Sequence, residues 1–122
     1  MRFKFEELRV SASIMDMIDT VYELTASFPT EERYALTSQI RRAAHSIYLN
    51  LAEGSARRSY KDFARFLSMA LGSLMEVRAC SNIALRRNYI SKDQHPQLGS
   101  QLHQIRISLT ALRSSLYERL EK

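Results

Sequence analysis

The chain has 122 residues, enough for one domain with its own core but not for two. Hydrophobic residues make up 45% and charged residues 25%, while three glycines and two prolines are too few chain breakers for a many-turned barrel or sandwich. The formal net charge of +5 favours acidic partners, nucleic acid among them, and leaves an all-α protein spanning residues 1–122 as a single domain.

Residues 2–9, RFKFEELR, alternate Phe3, Phe5 and Leu8 with charges, the pattern of a short arm that packs by its aromatics. A first helix is predicted to begin around Ser11 to Ser13. Ile14, Ile18, Val21, Thr25 and Phe28 recur at spacings of three and four, with Met15 and Tyr22 widening that face. Asp16, Asp19 and Glu23 fall off the stripe and make the helix acidic. Pro29 closes it, because the residue before a proline is pushed out of helical geometry. Thr30 is placed as the cap of a second helix, with Glu31 and Glu32 in the first turn, where the helix dipole favours acids. Leu36, Ile40, Ala43, Ala44, Ile47 and Leu51 then form a narrow stripe whose alanines admit a close neighbour, and Gly54 reads as the C-terminal stop.

Ser59 and Asp62 form an S-x-x-D cap for a third helix over Tyr60 to Arg87. Its main stripe is Phe63, Phe66, Leu67, Ala70, Leu74, Val77 and Leu85. A second set, Met69, Met75, Cys80 and Ile83, points elsewhere around the helix and argues for self-association. Ser91 and Gln94 form another capping box, followed by Pro96 in the opening turn. Leu98, Leu102, Ile105, Leu109, Leu112 and Leu116 step by four and three, a heptad seam, with Gly99 weakening the first turns. Four helices with short connections predict an antiparallel up-and-down bundle. Neither the charged stretch Met1 to Arg9 nor any later run has signal-peptide or membrane-spanning character, so a cytoplasmic protein is expected.

Charge is uneven along the chain. Residues 1–40 carry a net −3, residues 41–65 +4, residues 66–92 +3 and residues 93–122 +1. Arg41 and Arg42 lie on the second helix away from its leucine stripe, while Arg57, Arg58 and Lys61 gather at the following turn, with Arg65 one helical turn on. Arg86 and Arg87 stand roughly 40 Å away at the far end of the third helix, too distant to join them in one monomer. These residues fit phosphate contacts, or else a solvated face with intersubunit salt bridges to the acidic first helix. Tyr48 and Tyr60 fit packing roles or base stacking.

Catalytic and cofactor signatures are missing. His45, His95 and His103 have no partner at metal-ligand spacing, and Cys80 stands alone as a small core or interface residue. No phosphate-cradling glycine loop and no G-x-S-x-G turn occurs, and Glu53 and Glu76 read as salt-bridge or cap partners rather than an acid–base pair. Asn50 lies near the second helix's stripe and needs hydrogen-bond partners. A neighbouring backbone group or Glu53 suits it better than a ligand. No enzyme, cofactor or metal is expected.

The string from Leu36 to Ala44, with Ser46-Ile47, Asn50 to Gly54 and Arg58-Ser59, resembles the signature of a bacterial family encoded within intervening sequences of 23S rRNA genes and often labelled ribosomal for that reason. The likeness continues through Phe63, Phe66-Leu67, Ala70, Gly72 to Leu74 and Glu76, and upstream through Leu8 to Val10, Phe28-Pro29 and Glu32. The resemblance implies an antiparallel four-helix bundle assembling as a homopentamer. It also implies kinship with the accessory variability protein of diversity-generating retroelements, which binds nucleic acid and a reverse transcriptase. Three positions depart from the family pattern: Tyr48 where proline is common, Arg78 where an acid is common, and Ser11 where an aromatic is frequent. The expected function is that of a non-enzymatic, homo-oligomeric accessory protein binding structured RNA or DNA through Arg41, Arg42, Arg57, Arg58, Lys61 and Arg65. The alternative is a protein-binding scaffold for a partner such as a reverse transcriptase.

Overall fold

The structure, a computed structural model, describes residues 1–120; Glu121 and Lys122, the last of the expected single domain, lie outside the described residues. Four α-helices carry the fold: α1 (Arg9–Thr25), α2 (Leu36–Ser55), α3 (Tyr60–Arg86) and α4 (Gln94–Leu120). Each packs on two neighbours, α1 on α2 and α4, and α3 on α2 and α4, the square of an up-and-down bundle. The core they enclose is aliphatic. Ile14, Met17, Ile40, Ile47, Leu51, Leu67, Leu98, Ile105 and Leu109 are fully buried within it.

The helix boundaries differ from the expected ones at three places. α1 begins at Arg9, two residues before the expected Ser11, which adds Val10 to its buried face, and it ends at Thr25, before Pro29 acts. Thr30 does not cap α2: Thr30–Glu32 form one turn of 3-10 helix, Ala35 leaves helical geometry, and α2 starts at Leu36. The Glu32 carboxylate takes over the capping, accepting from the Leu36 N–H at 3.4 Å while its other oxygen accepts from the Tyr89 hydroxyl at 2.9 Å. That bond ties the α1–α2 linker to the turn after α3, where Phe28 also meets Tyr89 with ring centroids 5.4 Å apart.

Gly54 is not a left-handed stop. It is buried within the last turn of α2, in ordinary helical conformation. Its role is close approach: a β-carbon there would lie 2.7 Å from Phe66 Cβ and 2.9 Å from Phe63 Cδ1. With Ala43, Ala44, Ala64 and Ala70 also buried, small residues draw α2 and α3 together along their whole contact. The left-handed cap belongs instead to Asn88, with φ of 64° after α3. Tyr89 N–H donates to Ala84 C=O at 2.8 Å and Asn88 N–H to Leu85 C=O at 3.0 Å, closing the orphan carbonyls.

The caps at Ser59 and Ser91 form as expected. Ser59 Oγ accepts from the Asp62 N–H, and Ser91 and Gln94 exchange reciprocal bonds at 3.0 and 2.8 Å. The heptad seam of α4 is buried apart from half-buried Leu112. On α3, Cys80 faces the core, contrary to its placement in the outward set, whereas Met69, Met75 and Ile83 are exposed. Burial raises the Cys80 thiol pKa, and the Glu76 carboxylate adds to that, which makes it a packing group rather than a nucleophile. Of the N-terminal arm, Phe5 packs on Tyr48 edge to face at 5.6 Å, while Phe3 stays exposed. Among the described residues no helix is long and apolar enough to cross a membrane.

Candidate nucleic-acid interface

The α2–α3 turn sits at one end of the bundle and is built around Phe66. This ring is buried beneath two guanidinium groups: Arg57 lies 4.6 Å and Arg65 4.7 Å from its centroid. Asp62, in the first turn of α3, holds both. Its carboxylate accepts from Arg65 Nη2 at 2.8 Å and Nε at 3.0 Å and lies 3.7 Å from Arg57 Nε. Exposed ion pairs contribute little stability, about 0–1 kcal/mol. Their consequence here is orientation, since both guanidinium groups are drawn over the Phe66 ring and toward Asp62 as one wall.

Arg58 and Lys61 are exposed beside that wall and form no ion pair among the described residues. Together these groups line a surface groove of about 920 Å³, in which Asp62 is the only acid among the described residues and Tyr117 of α4 supplies an aromatic edge. Two further cations, unmarked in the sequence reading, arrive from α4. Arg113 Nη1 donates to Ser68 Oγ at 3.0 Å, and Arg119 Nη1 donates to Tyr60 Oη at 3.2 Å with its guanidinium 5.2 Å from the Tyr60 ring. The antiparallel α3–α4 pairing brings them there. The heptad predicted such a pairing but not its register, which decides which α4 residues meet the turn.

Four of the six expected residues, Arg57, Arg58, Lys61 and Arg65, therefore share one groove. Arg41 and Arg42 stand apart, about 20 Å back along α2 by helical rise. Arg41 is drawn inward: Nε donates to the buried Thr25 hydroxyl at 2.9 Å and the guanidinium lies 4.4 Å from the Tyr22 centroid, clamping α2 to α1. His45 joins the same seam, its Nε2 3.0 Å from Tyr22 Oη. Arg42 is exposed beside a separate polar depression between α2 and α3, with Ser46, Ser73 and Glu76.

Asn50 has the structural role expected of it, and of the two expected partners the neighbouring backbone group is the one it uses. Its amide donates to Ser46 C=O at 2.8 Å and Ser46 Oγ at 3.0 Å rather than meeting Glu53, and Ser73 Oγ donates to Ser46 Oγ at 2.8 Å, joining α2 to α3. His95 is 2.8 Å from Asn82 Oδ1, and its pKa is lowered by burial first and by Arg78 second. Among the described residues no group of three or more His, Cys, Asp or Glu side chains could hold a metal ion.

A crystal structure of a protein of unknown function from the S23 ribosomal protein family, from Bacteroides thetaiotaomicron, superposes with a TM-score of 0.79. The two are 22% identical, and the alignment covers 86% of this chain and 95% of that one, a likeness that carries the fold alone. No curated protein matches the sequence. The family model described as 23S rRNA-intervening sequence protein matches residues 6–111, nearly the whole bundle and the turn that bears the groove. The chain belongs to the 23S rRNA-intervening sequence protein family.

Proposed function

We propose that the protein is a non-enzymatic accessory factor that binds structured RNA or DNA through phosphate contacts at the α2–α3 end of the bundle. One observation carries this reading: among the described residues the groove there gathers Arg57, Arg58, Lys61 and Arg65 against a single acid, and Arg58 and Lys61 form no ion pair. Such cations gain free energy by displacing counterions from a polyanion, and that gain is independent of base sequence. The family's link to intervening sequences of 23S rRNA supports an RNA setting. Arg113 and Arg119 extend the field from α4, whereas Arg41 serves packing.

Self-association belongs to the same proposal. Met69, Met75 and Ile83 are each about half exposed on α3, and Gly72 among them opens onto free space. A second copy covering this face would set several basic ends on one assembly, of the five copies that the family resemblance implies, and multiply a modest single-site affinity. The same apolar face supports the second reading, docking of a protein partner such as a reverse transcriptase. Recovery of one stoichiometric protein that survives nuclease and high salt would favour that reading.

The test is a salt titration of binding to labelled structured RNA and to duplex DNA, for the native chain and for Arg58→Ala combined with Lys61→Ala. Affinity should rise as salt falls, and the variant should lose about two units of the log–log salt slope while keeping its oligomeric state. No affinity for either probe at low salt overturns the proposal. Disassembly of the variant would instead mark these residues as subunit contacts.

A further inference from the structure

We propose that the groove takes a single-stranded segment of RNA or DNA, with one base stacked on Tyr117 and the adjoining phosphates on Arg58 and Lys61. This rests on the nucleic-acid reading above and narrows it. The first argument is the state of the tyrosines. Tyr22, Tyr48, Tyr60 and Tyr89 each have a hydroxyl partner, and Tyr34 lies under the Arg33 guanidinium at 5.3 Å. Tyr117 has neither a hydroxyl partner nor a ring partner among the described residues, is 45% exposed, and lines the groove. A large aromatic left open beside unpaired cations is the pairing that single-strand binders use: cations follow the backbone and a ring receives a base face.

The second argument is dimension. From Ser59 to Ser68 the α3 side of the groove spans nine residues, roughly 13 Å of helix, against about 3.4 Å per nucleotide along one strand of a duplex. The cationic wall therefore meets at most about four phosphates of one strand, and fewer where the strand is extended beyond the stacked duplex rise. Duplex bases are already stacked on one another, so Tyr117 would gain nothing from a duplex without unstacking it. The third argument is orientation. Asp62 and Phe66 turn Arg57 and Arg65 toward one another, and Arg58 and Lys61 are left to meet the strand.

The test compares a short labelled oligouridylate, an oligothymidylate and a blunt duplex of equal length at low salt, using the full chain, Tyr117→Ala and Tyr117→Phe. Both single strands should bind more tightly than the duplex. Tyr117→Ala should weaken single-strand binding about 5- to 100-fold and leave duplex binding unchanged, while Tyr117→Phe keeps the ring and the affinity. A thermal melt of Tyr117→Ala matching the native chain shows that the loss is not one of folding. Equal affinity for strand and duplex, with no effect of Tyr117→Ala, overturns the stacked-strand inference and leaves the phosphate reading standing. Failure of every probe to bind overturns both.

Discussion

Replacing Gly54 with alanine sets two effects of opposite sign against each other. In an unconstrained helix interior, glycine to alanine is worth about 0.5–1 kcal/mol in favour of alanine. Gly54 has helical geometry, so that gain applies to it. Against it stands the contact with α3: the new carbon would lie 2.7 Å from Phe66 Cβ, an atom next to the backbone with no rotamer that removes it, and 2.9 Å from the Phe63 ring. Overfilling a packed interface costs about 1–3 kcal/mol, which exceeds the helix gain. The expected net loss is about 1–2 kcal/mol, or roughly 4–10 °C in melting temperature for a chain of this size. Gly72→Ala is the control, because within one copy a carbon added there meets nothing within 4 Å; melted at a concentration where the chain is monomeric, it should gain stability. Circular-dichroism melts of both variants, at matched protein concentration, provide the readout. A rise for Gly54→Ala equal to that for Gly72→Ala would refute close approach as the reason for this glycine. The consequence reaches the groove, since pushing Phe66 moves the ring on which Arg57 and Arg65 rest, so nucleic-acid affinity should fall as well.

Arg41→Ala removes the bond to Thr25 and the contact with Tyr22, and should cost about 1–2 kcal/mol by chemical denaturation while leaving nucleic-acid affinity unchanged. Asn88→Ala should lose about 1 kcal/mol in the same assay, because alanine resists the left-handed conformation that asparagine tolerates. Donation to Glu32 raises the Tyr89 phenol pKa above its usual value of 10, with desolvation and the Glu32 charge acting in the same sense. A raised folded-state value means the stabilisation is complete below about pH 10 and lost as pH climbs through the folded value. The melting gap between the native chain and Tyr89→Phe should therefore be constant up to about pH 10 and close above it.

The bundle itself was legible because three signals agreed: apolar spacing of three and four, capping boxes at Ser59 and Ser91, and a heptad on α4. Each is local. Features that depended on contacts between distant residues were not readable in the same way. Glu32 looked like an acid in a first turn, yet it caps α2 from outside because Tyr89, far along the chain, holds it there. Gly54 looked like a stop because glycine commonly follows a helix; what needs it is the nearness of Phe66, which no single-helix pattern contains. The groove was half legible on the same grounds. Arg57, Arg58, Lys61 and Arg65 are neighbours in sequence, whereas Arg113, Tyr117 and Arg119 join them through the register of α3 on α4.

The three positions expected to depart from the family pattern each make contacts within the chain. Ser11 and Tyr48 touch one another: Ser11 Oγ donates to Tyr48 Oη at 3.3 Å. Ser11 is buried, so a ring there would compete for the space that Tyr48 and Phe5 occupy. Arg78 reaches across to α4, where Nη1 donates to His95 C=O at 3.1 Å. Its guanidinium fills the position a β-carbon of Gly99 would crowd, 2.9 Å from Nη2, so Gly99 leaves room for the arginine rather than merely loosening the helix. Arg78 thus turns one guanidinium nitrogen, Nη1, toward α4 and is half-buried against it. With Arg41 likewise engaged against α1, two cations from the basic middle of the sequence are taken up by packing. The cations left for the proposed polyanion contact are fewer than the sequence count implies, and those the proposal uses, Arg58 and Lys61 at the α2–α3 turn, form no ion pair among the described residues.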